Sequence, residues 1–202
     1  MYTVIANKNM KLKMMAKIQS GFISRGKIDP RDDGICLLLQ AKDVDADQLS
    51  YRTDNLVRFS PRLSGKDWYL EPGDILFMAR GARNYSVLVD KIPDKVLAAA
   101  CFFIVRIPNS EIIPEYLWWY LNQAPVEEYL NRFSGRSVHM PVVRRAVLEG
   151  IDIPIPPIEV QKQIAVITTL IMKEQVLYKK LAEKREYLMT EICLQSIRVN
   201  RY

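Results

Sequence analysis

Apolar positions along the first hundred residues fall in short runs broken by turn-forming residues. Gly21, Gly26, Asp29–Pro30 and Asp33–Gly34 punctuate the opening stretch, and between them 35–40 is a compact apolar run suited to a buried strand. Glu71-Pro-Gly73 reads as a turn, and a mostly apolar strand is expected over 74–79. Residues 80–84 are a polar loop rich in donors. Over 85–91, Tyr85, Val87 and Val89 alternate with Ser86, Leu88 and Asp90, the pattern of a half-buried strand. After Pro93, the run 96–107 carries enough apolar residues for one central strand, closed by Pro108–Asn109.

From Pro114 the period changes from two to helical. Pro114 stands where a first-turn proline belongs, and Leu117, Tyr120 and Leu121 recur at helical spacing. Pro125 interrupts, and Val126, Tyr129, Leu130 and Phe133 repeat the pattern. Ser134-Gly-Arg-Ser137 forms a glycine loop before a short helix that Gly150 ends. Residues 151–157 must be extended, because Pro154, Pro156 and Pro157 remove donors and hold their neighbours out of the helical region. From 158 to about 197 there is neither Gly nor Pro. Heptads with Ile164 at position a place Ile164, Ile171, Tyr178, Arg185 and Ile192 at a, and Ile167, Glu174, Leu181, Leu188 and Gln195 at d. Seven of these ten are apolar, which predicts a coiled-coil seam on a helix ~60 Å long that needs a partner surface. The fold class expected is α/β in the mixed α+β sense. A domain over 1–157 has a twisted, mostly β core with small helices, and one long coiled-coil-forming helix follows over 158–202.

Composition narrows the setting. The 202 residues, 49% hydrophobic and 26% charged, are enough for a real core without disulfides or metal. A net charge of +6 is compatible with a polyanion partner without requiring one. Its distribution is uneven: Lys8, Lys11, Lys13, Lys17, Arg25 and Lys27 all precede the first acid, Asp29. Cys36, Cys101 and Cys193 are odd in number and far apart, so a reducing cytoplasm is the expected location. No secretory h-region and no apolar run of membrane-spanning length is present, so no membrane role is expected.

Catalytic patterns are missing. His139 is the sole histidine, no GxSxG exists, and no acid is followed two positions later by lysine. No GxG phosphate loop occurs, and the one Pro-Pro pair, Pro156–Pro157, lacks the Asn or Asp and the aromatic of a base-flipping methyltransferase segment. Metal-ligand spacings are absent too. The chain is therefore expected not to be an enzyme and to hold no cofactor.

Several segments together carry a family likeness. Ile151-Asp-Ile-Pro-Ile-Pro-Pro-Ile-Glu-Val-Gln-Lys-Gln-Ile-Ala165 closely resembles the junction in specificity subunits of type I restriction–modification systems, where an extended Pro-rich strand enters a long helix. Pro72-Gly-Asp-Ile-Leu-Phe-Met-Ala-Arg-Gly81 is similar to that family's Gly-Asp-Ile-Leu strand and Arg/Gly loop. Ile113-Pro-Glu-Tyr-Leu-Trp-Trp-Tyr-Leu-Asn122 resembles its Pro-x-Tyr-Leu helix, and 134–136 its glycine loop. The likeness runs from about 71 to 175, with weaker echoes at Ile18-Gln-Ser-Gly21 and Leu39-Gln-Ala-Lys-Asp-Val44. Val160 departs from the acid common before the Gln. Familiar members carry two domain-plus-helix units in tandem, whereas this chain carries one and looks like a half-length form.

The resemblance implies a subunit that reads a half-site in double-stranded DNA and directs methyltransferase subunits, with or without a restriction subunit, to it. S-adenosylmethionine and ATP would belong to those partners. The alternatives are a stand-alone DNA-binding regulator or silent recognition cassette, and a protein-interaction adaptor without a DNA role. Arg80, Arg83, Asn84 and Tyr85 are the densest cluster of groove-reading donors, since arginine suits guanine and asparagine adenine; an ordinary exposed loop is the alternative. Arg136, Ser137 and His139 are a second candidate set, although a lone loop histidine is more often a surface or packing residue. Ser24, Arg25, Lys27 and Lys42 suit phosphate contacts or plain solvated charge, and Arg144–Arg145 suits a solvent face. Trp118, Trp119 and Tyr120 are adjacent, so they divide between core and subunit interface rather than forming a stacking platform. Ile164, Ile167, Ile171, Tyr178, Leu181, Leu188 and Ile192 are expected to form a homodimer or partner surface, with antiparallel pairing favoured because it sets two recognition domains at opposite ends of a ~60 Å rod, an arrangement that Glu174 and Arg185 on the seam fit.

Overall fold

The computed structural model describes residues 8–24, 26–61, 69–108, 111–133 and 142–199, of 198 and 199 the backbone alone. Elements follow in the order β1 (Lys8–Lys11), α1 (Leu12–Met15), β2 (Lys17–Ser20) and β3 (Cys36–Leu39), then a 3-10 turn over Ala41–Asp43. Next come β4 (Val44–Asp45), β5 (Ser50–Tyr51), β6 (Val57–Phe59), β7 (Ile75–Met78), β8 (Ser86–Leu88), β9 (Val96–Ala98) and β10 (Phe102–Arg106). The chain then runs through α2 (Pro114–Leu121), α3 (Ala124–Phe133), α4 (Arg145–Glu149), β11 (Asp152–Ile155) and α5 (Ile158–Val199). It is a mixed α+β protein with one long C-terminal helix. The chain divides into two compact units between Ala165 and Val166, so the first turns of α5 pack as part of the first unit. Among the described residues no helix is long and apolar enough to cross a membrane.

Two sheets make the core. One is antiparallel in the order β2-β10-β7-β8; the other has the order β6-β3-β9, with β3 and β9 parallel. The four apolar residues of β7 are all buried, as expected of a central strand flanked on both edges. In the second sheet the period of two sorts side chains between two clusters. Leu39, Val96 and Ala98 join Leu76, Met78, Val87, Phe102 and Ile104, while Cys36, Leu38 and Leu97 pack with Phe59 on the opposite side. A separate ribbon pairs β1 with the proline-rich β11, Met10 facing Ile153.

Two local expectations are corrected. The apolar run 96–107 is two strands, not one: Phe102 N–H donates to the Ala99 carbonyl (3.0 Å), and the turn at 99–101 sends β9 and β10 into different sheets. Ser86, expected to face water, is fully buried. The Asn122 amide clamps it, accepting from Ser86 N–H (2.8 Å) and donating to Ser86 Oγ (2.8 Å), and Trp118 Nε1 donates to the Ser86 carbonyl (3.0 Å). These bonds satisfy a polar residue inside the core and fix the end of α2 on β8. Gly150 ends α4 as expected, with φ −84°, and the Tyr129 hydroxyl of α3 packs close to it, 2.6 Å from where a Cβ would stand.

The Gly-Asp-Ile-Leu segment has a structural cause. Gly73 takes φ +94°, which turns the chain into β7. Buried Asp74 then accepts two bonds from Arg106, Nε to Oδ1 and Nη2 to Oδ2, each 2.7 Å. Arg106 also reaches Glu71 (2.9 Å) and the Tyr69 carbonyl (2.8 Å), tying the start of β7 to the end of β10. Asp74→Ala leaves the guanidinium with its weaker partners and is expected to cost about 2–3 kcal/mol, read as a lower denaturant midpoint at unchanged slope.

Candidate nucleic-acid interface

Strand register brings most of the candidate loops to one end of the first unit. Phe102, where β10 begins, lies opposite Met78 at the end of β7, and Phe103 lies opposite Ser20 at the end of β2. Leu39 and Ala98 end the parallel pair β3 and β9 side by side. The chain segments after β2, β3 and β7 therefore emerge together, and the turn at 99–101 holds all three. Phe22 N–H donates to the Ala98 carbonyl (2.7 Å), Ala99 N–H to the Leu39 carbonyl (2.8 Å), and Ala79 and Arg80 N–H to the Cys101 carbonyl (2.8 and 3.3 Å). Burial pushes the Cys101 thiol up, with Arg80 pulling it down.

The 80–85 loop is closed at its neck. Met78 N–H donates to the Tyr85 carbonyl (2.8 Å), and Asn84 Nδ2 to the Met78 carbonyl (2.8 Å). Asn84 thus spends one donor on loop geometry. Tyr85 is buried in the larger core cluster, and burial pushes its phenol up; the ring anchors the loop. Arg83 reaches away to the β4–β5 hairpin, bonding the Ala46 carbonyl and the Asp47 carboxylate (3.1 Å), with its guanidinium 5.9 Å from the centre of the Tyr85 ring. Arg80 is exposed like Arg83, and stands on backbone fixed from both sides.

Arg136, Ser137 and His139 lie outside the described residues, as does Arg25. The downstream flank of the second loop is nevertheless placed: Val142 forms a bridge with Arg80, and Val143 N–H donates to the Ala79 carbonyl (2.9 Å). Ser24 makes a local turn with Gly26 (Oγ to carbonyl, 2.6 Å), and Lys27 is exposed. Lys42 is exposed on the 3-10 turn, whose start Asp43 caps by accepting from Gln40 N–H (2.8 Å). Arg144 is exposed, while Arg145 pairs with Glu149 on its own helix (2.7 Å). Trp118 is buried against β8, and Trp119 and Tyr120 are half-buried.

A cleft of about 410 Å³ lies beside the 80–85 loop, between the β4–β5 hairpin and α3, with Asp47, Arg83, Asn84, Gln123, Glu127 and Asn131 among its walls. The sequence reading did not single out Asp47 or Glu127. The available signal was the acidic run Asp43-Val-Asp-Ala-Asp47 before a turn. Gln161, part of the junction segment, is given no role by the sequence, although Pro157, Ile158, Ile164 and Ala165 flank it at helical spacing. It is fully buried, accepts from Ile113 N–H (3.0 Å), and donates to the carbonyls of Glu111 and Pro156 (3.0 Å each).

On α5, Ile167, Ile171, Tyr178, Leu181, Leu188 and Ile192 are all exposed, joined by Leu170 and Leu177 beside the seam. Ile164 is half-buried and belongs to the first unit.

Comparison with known proteins agrees with this architecture. Solved structures with the same fold include the HsdS subunit from Thermoanaerobacter tengcongensis (TM-score 0.59, 17% identity, covering 90% of this chain and 41% of that one). The S subunit of a type I restriction–modification system from M. genitalium gives TM-score 0.62 at 13% identity, covering 99% and 48%. A chain from a structure on complex assembly and conformational transition of the type I R-M system gives 0.66 at 17%, covering 95% and 45%. This chain spans less than half the length of each. No curated protein matches the sequence. The family profile described as type I restriction modification DNA specificity domain matches residues 7–183, and the chain belongs to that family.

Proposed function

We propose that this chain reads a DNA half-site as the specificity subunit of a modification or restriction–modification complex, working in the cytoplasm without catalysis of its own. The observation that carries this reading is the convergence of the segments after β2, β3 and β7 on the 99–101 turn. It sets Arg80, Arg83, Lys42 and the flank of the 134–141 segment on one end of a rigid β scaffold. Loops on such a scaffold suit base-edge reading, with surrounding cations on phosphate. Methyltransferase and restriction chains are the partners, and S-adenosylmethionine and ATP would be bound by them.

The exposed stripe of α5 takes a second copy of the chain. Pairing two helices antiparallel about a two-fold axis between Lys179 and Lys180 sets each a position against a d position. Tyr178 meets Leu181, Ile171 meets Leu188, Ile167 meets Ile192, and Glu174 meets Arg185. Parallel pairing in register would instead set Glu174 on Glu174 and Arg185 on Arg185, so charge on the seam favours the antiparallel form. Identical subunits about a two-fold axis then address a palindromic target with an unread spacer.

Arg80→Ala tests the reading end. If its guanidinium reads a base, specific binding weakens by ~1–3 kcal/mol and preference relaxes at one position. If it holds phosphate, all sequences weaken alike and the salt slope falls by about one unit. Titration of full-length protein against labelled duplexes at several salt concentrations separates the two. Unchanged affinity and preference would remove this loop from the interface.

A further inference from the structure

We propose that Asp47 is a specificity-determining residue, competing with DNA phosphate for Arg83 and yielding that arginine only to a base edge. The inference rests on the DNA-reading role proposed above. The acceptor site for Arg83 is built in advance. Asp45 Oδ1 accepts from the N–H groups of Asp47 and Gln48 (3.0 Å each), shaping the hairpin tip so that the Ala46 carbonyl and the Asp47 carboxylate both meet the guanidinium. At the hairpin base, the Tyr51 hydroxyl lies 2.8 Å from both the Asp90 carboxylate and the Lys91 carbonyl, and burial pushes it up to about 12. The hairpin is thereby fastened to the end of β8.

Charge at this place is wrong for simple phosphate binding. Asp47, which pairs with Arg83, and Glu127 line the same cleft as Arg83, so a phosphate approaching Arg83 enters a cleft with two carboxylates and one guanidinium among its lining groups. A guanidinium already engaged by Asp47 is less available to backbone of any sequence. The pair itself is weak, because its side chains are 56% and 88% exposed. An exposed pair shifts an equilibrium by at most about fivefold. A bidentate arginine–guanine contact is worth roughly five- to 150-fold. Base reading can therefore take Arg83 from Asp47, whereas a lone phosphate contact gains little from doing so. The carboxylate filters what Arg83 binds.

The experiment compares wild type, Asp47→Asn, Arg83→Ala and the double variant, each as the full chain. Each binds a random-sequence duplex pool and the duplex that wild type enriches from it. Asp47→Asn is expected to tighten random-duplex binding about two- to fivefold, to steepen its salt slope by about one unit, and to leave the enriched duplex within twofold. In the Arg83→Ala background the same substitution should change nothing. Persistence of the tightening there would show plain removal of a negative charge and overturn the proposal. Equal loss of affinity for both duplexes would also overturn it, leaving the pair as a brace for the loop. A wild-type chain that enriches no sequence overturns the proposed function itself, and the role of Asp47 falls with it.

Discussion

Gln161→Leu is expected to lower the stability of the first unit by about 3–5 kcal/mol. The Gln161 amide is fully buried and bridges three pieces of chain: the segment before α2 through Ile113 N–H and the Glu111 carbonyl, the end of the β11 strand through the Pro156 carbonyl, and α5 itself. Leucine fills a similar volume and keeps helix propensity, so packing and backbone preference change little. What remains is one donor and two acceptors without their partner, at roughly 1–3 kcal/mol for each that stays buried. For a chain of this size, 1 kcal/mol moves Tm by about 2–4 °C, so a fall of roughly 6–20 °C in thermal unfolding is expected. Gln161→Glu separates hydrogen bonding from shape: it keeps an acceptor for Ile113 N–H, loses the donors to both carbonyls, and buries a charge. Two variants as stable as wild type would show that the start of α5 is held by apolar packing alone.

The second large effect lies at the other end of that helix. Leu181→Glu with Leu188→Glu is expected to abolish dimerisation while leaving the first unit folded. Both residues are exposed in the single chain, so the substitutions cost the monomer little. In the antiparallel register each meets an apolar residue of the second copy, Leu181 facing Tyr178 and Leu188 facing Ile171. Two substitutions in each of two chains remove four buried leucines, worth roughly 6–12 kcal/mol at 1.5–3 kcal/mol each. That is a weakening of at least about ten-thousandfold. Light scattering should report a wild-type dimer and a variant monomer with unchanged thermal unfolding of the domain. Tyr178→Cys on one chain and Leu181→Cys on the other should cross-link if the axis passes between Lys179 and Lys180. A variant dimer indistinguishable from wild type would move the interface elsewhere.

Elements whose cause is local were legible from sequence. The extended Pro-rich segment, the helix opened by Pro114 and the uninterrupted run after Pro157 all follow from donors and dihedrals within a few residues. What escaped is non-local. Nothing in Val96-Leu-Ala-Ala-Ala-Cys-Phe-Phe103 marks a turn: no Gly, Pro, Asn or Asp stands there. The break at 99–101 arises because β9 and β10 pair with different strands. Ser86 reads as a solvent position until Asn122, thirty-six residues later, is seen to satisfy it. Residue type marks Arg83 as a strong donor. Only the fold shows that Asp47 and Ala46 already hold it and that Tyr85 belongs to the core. The converging ends of β2, β3 and β7 are a matter of register, which a one-residue shift would undo and which composition does not encode.

Reading of a DNA half-site by a two-fold dimer is tested most directly by letting the full-length protein select from a randomised duplex pool and sequencing what it retains. The expected product is an inverted repeat of one short motif, its halves separated by a fixed, unread spacer whose centre-to-centre span exceeds one duplex turn. No enriched sequence, or a single undivided motif bound by a monomer, would contradict it.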